Sequence, residues 1–568
     1  MFPPPGSVAV SRHTGITLRP VSPASLGALS VRGSHSSVHE GTVYWSSDGT
    51  AAMWVPEEPF APGETVTVTT GLAVRGADYG VAELRVALTP RAPRAEPSSN
   101  SQPAPTKLPP SDTQHFVTRP DLKAPKLRVV TPATRTAPGY VFLTPNGSSV
   151  QQGPLIVDDA GNVVWDSPLP SDHAIDFAAQ HYQGQPVLTW FEGVISPLGG
   201  GRGSYVIMDQ SYHQIARVAA GNGYVGDHHD FQITARNTAL FTVYNAVTID
   251  ATSVGGSKHQ TVLDAIVQEV DIPTGVVLFE WHSLGTIALA ESYQQPPHGG
   301  KAYNYVHTNS IDVEPDDNLL VSGRDTFAWY KIDRVTGALI WRLGGKRSNF
   351  TIGRGAQTAW QHDVRSLGDG LFSAFDNGAV KGTITHRHTR GVVLRVDETK
   401  MSATLVKAYP PPQRLLATSQ GNFQRLPNGN YFTGWGSEPR YTEFNAAGNI
   451  VYDVKLPIVD KRTFLNSYRA YRFEWHGTPS DQPIAVARRG TGTDRMRVWV
   501  SWNGATDVAS WQVLGGIGPD ALQPLASARR TGFETTITTS TTTPYVAVQA
   551  LDASGRILAT SALVSPSS

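Results

Sequence analysis

Cysteine is absent from this 568-residue chain, which excludes disulfides, thiolate metal sites and a cysteine nucleophile without fixing the compartment. An excess of either charge is also missing. Forty-seven Lys+Arg balance 47 Asp+Glu, so the composition carries no electrostatic footprint for nucleic acid, and none is expected as a partner. No run of about eighteen apolar residues occurs, so no membrane-spanning helix is expected. Apolar stripes of helical period are scarce. The opening Met1-Phe-Pro-Pro-Pro-Gly6 has no basic stretch followed by an apolar core and does not read as a secretory leader.

What the chain does contain is turn formers and aromatics, with 54 Gly, 41 Pro, 13 Trp and 19 Tyr, the composition of an all-β protein. Residues 1–90 hold short alternating runs such as Thr65-Val-Thr-Val-Thr-Thr70 between Asp-Gly and Pro-Gly turns, and read as a β-sandwich. Residues 91–138 begin with a Pro/Ser-rich stretch that reads as an extended, mobile linker. Residues 476–568 again alternate, around Trp502 and Trp511, and read as an immunoglobulin- or fibronectin-like sandwich.

Residues 139–475 repeat one element, an apolar strand, an Asp or Asn turn and a second strand. Its markers Asp158, Asp209, Asp271, Asp333, Asp397 and Asn445 are spaced by 51, 62, 62, 64 and 48 residues. Repeats of this length built only from strands and turns predict a six-bladed β-propeller. Between these hairpins runs a second repeat. Segments opening at His229, His307 and His362 each turn at polar residues and close on an apolar strand, and a fourth copy at Gly421-Asn-Phe-Gln-Arg425 lacks the histidine. In a propeller such segments are inner strands, so the three imidazoles are expected at one mouth. His307 and Asn309 fall two apart, on one strand face, and Arg324 at the end of the hairpin returns toward them.

Three histidines, an asparagine and an arginine suit transfer of an anionic group. Neutral imidazole is a nucleophile near pH 7, its unperturbed pKa being about 6.5. A protonated imidazole can serve the leaving oxygen, arginine stays charged toward planar oxygens, and an amide donates without adding charge.

On these residues the chain resembles the arylsulfate sulfotransferases (arylsulfotransferase, ASST, family), and within them the actinobacterial-type branch through Ser467-Tyr-Arg-Ala-Tyr-Arg-Phe-Glu-Trp475 and the flanking sandwiches. His307-Thr-Asn309 and Arg324 match the family's His-x-Asn and arginine, His229 its earlier active-site histidine, and His362 its nucleophile. The resemblance implies a ping-pong sulfuryl transfer from a phenolic sulfate ester to a phenolic acceptor, without a nucleotide sulfate donor. His362 would carry the group as sulfohistidine, His229 or His307 would protonate the departing phenol, and Arg324 with Asn309 would hold the sulfuryl oxygens. It implies no cofactor and no metal, and a location outside the cytoplasm or at the cell surface.

Two other readings stand beside it. One is a metal hydrolase or lyase with His229, His307 and His362 as ligands; the other is a non-catalytic propeller binding sulfated or phenolic ligands. Plainer roles also exist for single residues. Arg324 can pair with Asp325, His228 rather than His229 can face the site, His386 and His388 can form a solvated hairpin tip, and Trp281 and Trp341 can simply pack.

Overall fold

The computed structural model describes residues 1–88, 108–147, 151–170, 173–195, 200–458, 464–490 and 494–567. It is all-β. Among the described residues there is no α-helix, only four single-turn 3-10 segments. The Pro/Ser-rich residues 91–107 lie outside the described set. Beyond them the expected mobile linker is seated instead, because it offers apolar side chains. Leu108, Leu122 and Leu127 are buried, and strand Arg128–Thr131 pairs with Ile450–Lys455.

In the central part of the chain one pairing pattern recurs, a four-strand antiparallel meander. Strands 308–313, 319–323, 328–332 and 339–344 form one meander, and 362–368, 371–376, 390–397 and 402–409 another. The run from strand His173–Tyr182 to strand Val277–His282 contains two more, joined at Gly203 and Gly226. Strand Asn466–Phe473 returns late in the chain to pair with Tyr140–Asn146. The turns between the third and fourth strands are built alike. The side-chain oxygens of Asp158, Asp209, Asp333, Asp397 and Asn445 accept backbone N–H groups two to four residues on, an Asx turn that competes with continued strand.

Neighbouring meanders bury their faces against each other. Leu320, Trp329, Trp341 and Leu343 meet Val364, Phe372, Val392 and Leu394 in one cluster, while Leu240, Val267, Phe279 and Trp281 meet Val321, Tyr330 and Ile332 in another. Strands covered on both faces lose polar/apolar alternation, as in the fully buried Ala-Trp-Tyr-Lys-Ile of Ala328–Ile332. Trp281 and Trp341 are core residues here. Residues 1–88 form a three-strand and a four-strand sheet over a core that includes Val31, Phe60, Val66 and Val68. The C-terminal sheets enclose Trp502 and Trp511.

The N-terminal sheets are tied to the central part by a buried polar network. Gly15 N–H donates to Asn222 Oδ1 (2.9 Å) and Asn222 Nδ2 to Glu280 Oε2 (2.7 Å). His282 sits between Asp264 (2.6 Å) and Glu280 (2.9 Å). Burial opposes its charge, but the two carboxylates outweigh burial and push its pKa up to about 10. A pKa raised on folding adds stability that is complete below the unfolded value of about 6.5 and is lost as pH climbs toward the folded value. Melting temperature is therefore expected to fall between about pH 6.5 and 10, and His282→Gln should flatten that slope. A wild-type alkaline slope retained in His282→Gln, followed by differential scanning calorimetry, would rule the network out as its source.

Candidate active site

The polar site residues emerge where the first strands of the meanders are irregular. Register breaks interrupt the pairing at Asp176, at Asp227 to Asp230, at Asn309, at Asp363 and at Tyr468-Arg469. The corresponding strand Asn422–Arg425, from the copy without a histidine, pairs without a break. A bulge leaves residues unpaired and re-aims their side chains. Non-glycine residues with left-handed backbone gather at the same level, namely Asp176, His307, Phe327, Trp360, Asp363 and Gln420, with φ between 51° and 65°. Each such residue costs on the order of 1–3 kcal/mol and persists where the surroundings dictate it.

His229 and His307 meet edge to face at 4.8 Å between ring centroids. His228 stacks on the far side of His229 at 4.1 Å and packs against Phe191 and Tyr468, so His229 is the ring turned toward His307. Simple strand alternation does not describe His307 and Asn309. His307 precedes its strand with φ 55° and Asn309 lies in the bulge, because Asn304 Oδ1 accepts the His307 N–H (3.1 Å) and fixes a turn there.

Hydrogen-bond partners set the tautomers. Asn304 Oδ1 is used by that backbone N–H, so its Nδ2 faces His307 Nδ1 at 2.8 Å, and the His307 proton sits on Nε2. His229 Nδ1 donates to Asp227 Oδ2 at 2.6 Å, leaving Nε2 bare. His362 Nε2 accepts Gln420 N–H at 3.1 Å, and its Nδ1 meets Asn377 Oδ1 at 2.8 Å. Burial is the largest influence on all three rings. Asp227 partly offsets it at His229, whose pKa falls to about 4. Burial and the Arg324 charge hold both His307 and His362 well below the ordinary imidazole range. All three are neutral at pH 7.

Arg324 Nη1 pairs with Asp325 (3.1 Å), its Nη2 reaches Thr418 O (3.4 Å), its Nε has no hydrogen-bond partner, and the guanidinium lies 5.7 Å from the Trp360 ring centre. The Asp325 pairing coexists with free donor capacity. Asn309 Nδ2 donates to Gln361 O (2.7 Å), and its buried Oδ1 has no hydrogen-bond partner. The trihistidine metal arrangement does not form. Both His362 nitrogens are engaged, Nε2 by an N–H, and among the described residues the candidate ligand group is Asp227, His228 and His229. Its carboxylate already accepts Gly201 N–H, His229 N–H and the Thr242 hydroxyl. His386 is not a free hairpin tip either, since it binds Asp376 at 2.8 Å.

Beneath the imidazoles lies a residue with no place in the sequence-derived set. Arg469, 1% exposed, donates to Asp176 Oδ1, Asp230 Oδ1 and Asn309 O, each at 2.9 Å. Arg365 joins Asp230 (3.0 Å) to Asp363 (2.8 Å) and to Ile311 O (2.6 Å). Asp176, Asp230 and Asp363 also line a cavity of about 330 Å³. The negative charge of Asp176, Asp230 and Asp363 is thus bound to guanidinium.

The Arylsulfotransferase (ASST) family model matches residues 178–456, a span that includes His229, His307, Asn309, Arg324 and His362 but not Asp176 or Arg469. No curated protein matches the chain. Among solved structures, a protein of unknown function from Bacteroides caccae is 13% identical, with a TM-score of 0.36 over 59% of this chain and 98% of its own. Virginiamycin B lyase from Staphylococcus aureus is 9% identical, with a TM-score of 0.31 over 59% and 89%.

Arg469→Met would strand Asp176 and Asp230 without their shared cation, and a loss of about 3–5 kcal/mol is expected from such a buried break. Urea unfolding measures it. Asp176, whose pKa burial raises to about 6 against the pull of Arg469, should tolerate Asn far better.

Proposed function

Since the chain belongs, through residues 178–456, to the arylsulfotransferase family, we propose that it moves a sulfuryl group from a phenolic sulfate ester to a phenolic acceptor by a ping-pong route, without a nucleotide sulfate donor. In this reading the meanders are six blades of a propeller spanning 139–475, flanked by immunoglobulin-like sandwiches at 1–90 and 476–568, and the enzyme is of the actinobacterial type and works outside the cytoplasm.

The observation that carries the proposal is the meeting of three differently prepared imidazoles beside one guanidinium. His362 Nε2 attacks sulfur; the N–S bond forms as the S–O bond to the aryl group breaks, and the aryloxide leaves with the electron pair. Arg324 and the remaining Asn309 N–H hold the sulfuryl oxygens, and the His307 Nε2–H donates to the departing oxygen. His229 is the proton carrier. As the anionic ester binds, it raises the proton affinity of His229, Nε2 takes up a proton from solvent, Asp227 stabilises the imidazolium behind it, and that proton passes from Nε2 to the aryloxide. In the second half-reaction His229 takes the acceptor phenol's proton while the O–S bond forms and N–S breaks. Release of the product ester returns the His229 proton to solvent, and the site is restored.

Intact-mass spectrometry after incubation with 4-nitrophenyl sulfate should show a gain of one sulfuryl group, lost on adding a phenol. His362→Asn should show neither adduct nor transfer; full activity in that variant would exclude the reading. Wild-type protein that binds the ester without adduct or turnover would favour the binding-only propeller instead.

The pH dependence has a definite sign. Protonation removes the nucleophile, and His362 is held below the ordinary range of about 6.5. Adduct formation at low ester concentration should therefore show no acid-side loss as pH falls from 8 through 6.5, and it should rise as His229, neutral in the free site, takes up its proton more readily. A half-maximal rate at 6.5, in rapid-quench measurements, would contradict a neutral buried His362.

A further inference from the structure

The His362 ring is held by an amide that offers only one orientation. Asn377 is buried, and its Nδ2 donates to two carbonyls, Ala417 O at 3.0 Å and Gln420 O at 3.1 Å. Both amide protons are thereby used, and Oδ1 is left to face His362 Nδ1 at 2.8 Å. An oxygen there requires the ring proton on Nδ1. The bare nitrogen is Nε2, which accepts the Gln420 N–H.

We propose that Asn377 is a positioning residue for the sulfuryl transfer, fixing the Nδ1–H tautomer of His362 so that Nε2 is the reacting nitrogen, and keeping that proton on the ring throughout. This rests on the function proposed above. The choice of a neutral amide matters after the first half-reaction. When Nε2 bonds sulfur and aryloxide departs, the ring carries Nδ1–H and a positive charge beside the –SO₃⁻ group. An amide oxygen accepts a hydrogen bond but does not take the proton, so nitrogen leaves in the second half-reaction as neutral imidazole. A carboxylate in its place could take the proton, leaving an uncharged N-sulfo ring whose departure as imidazolate is much harder. In the free enzyme a carboxylate would also favour imidazolium, which is no nucleophile. Hydrolytic triads with a carboxylate behind histidine use that ring to carry protons; here the ring must carry sulfur.

The same amide reaches the segment that covers the nucleophile. Gln420 has left-handed backbone, φ 65°, and its N–H must leave Nε2 before a sulfur atom can approach. Asn377 holds that segment at two carbonyls, so it sets both the reacting atom and the distance the cover has to move.

Asn377→Asp and Asn377→Ala, with 4-nitrophenyl sulfate as donor and phenol as acceptor, test this. Asn377→Asp keeps the side-chain shape while replacing the amide by a carboxylate, which also gives up the donations to Ala417 O and Gln420 O. It is expected to accumulate a longer-lived sulfuryl adduct, to lose roughly 10-fold or more in turnover, and to lose adduct formation on the acid side at a higher pH than wild type. Asn377→Ala is expected to lower kcat about 10–100-fold with KM nearly unchanged, since orientation rather than binding is removed. Should either variant fail to fold, ¹⁵N-histidine spectra of the wild type, with His362 assigned by His362→Gln, decide the matter. A protonated Nδ1 and bare Nε2 support the proposal, and the reverse tautomer overturns it. Wild-type adduct lifetime and pH profile in Asn377→Asp also overturn it. Absence of any adduct in the wild type would instead fail the proposed function, whatever Asn377 does.

Discussion

The arrangement depends on one buried guanidinium. Arg469 ties carboxylates from the strands of Asp176 and Asp230 to the backbone carbonyl of Asn309, three strands far apart in the chain. Each of those strands is broken by a bulge at that level, and a bulge surrenders ladder hydrogen bonds that a buried backbone needs. The guanidinium has donors enough to satisfy several groups at once and keeps its charge at any working pH. Removing the bulges would straighten the strands and turn His229 and Asn309 elsewhere. Removing Arg469 would leave the bulges with uncompensated charge. Strand irregularity and buried ion pairing are here one device.

The electrostatics of the imidazoles is set by burial and by the charged groups beside them. Arg324 lowers the proton affinity of His307 and His362, while Asp227 raises that of His229 against a larger loss from burial. Three chemically identical side chains are thus separated into different roles by an amide at Asn304, a carboxylate at Asp227 and an amide at Asn377. The partner's ability to accept a proton, and which of its atoms is presented, distinguishes the rings more than their exposure does. Had all three histidines met carboxylates, they would favour imidazolium, bind an anion well and offer no nucleophile.

Much of this was legible in the sequence, and the limit has a physical origin. The Asp and Asn markers announce turns by a local mechanism, side chain to nearby backbone, so Asp158 through Asn445 could be placed from spacing alone. The histidine repeat announced convergence because His229, His307 and His362 occupy equivalent positions in repeated hairpins. Arg469 was visible only as part of a family-like segment, since its partners lie about 160 to 290 residues away and no local pattern encodes them. Period-two reasoning put His307 and Asn309 on one face, and it failed because bulges at functional sites depart from that period. Asn304 and Asn377 were invisible for another reason. An amide gives no charge and no motif, and its meaning appears only when both its donors are seen to be occupied.

The regular copy sharpens the point. Strand Asn422–Arg425 carries no histidine, no bulge and no left-handed residue within its span, and Asn422 spends both ends of its amide on Ala470 N and O at 2.9 and 2.7 Å. It is what the first strand of a meander looks like when its polar group only fastens a neighbour. The histidine-bearing copies give up that regularity and accept strained backbone, and the excess cost falls on the residues around which the imidazoles gather. Strain of this kind is retained where several contacts jointly enforce it. At Gln420, where the left-handed residue lies two residues before the regular strand, the enforcing contacts are His362 and Asn377. The cover over the nucleophile is therefore held by the nucleophile and by its own positioning amide, and movement of the one cannot be independent of the other.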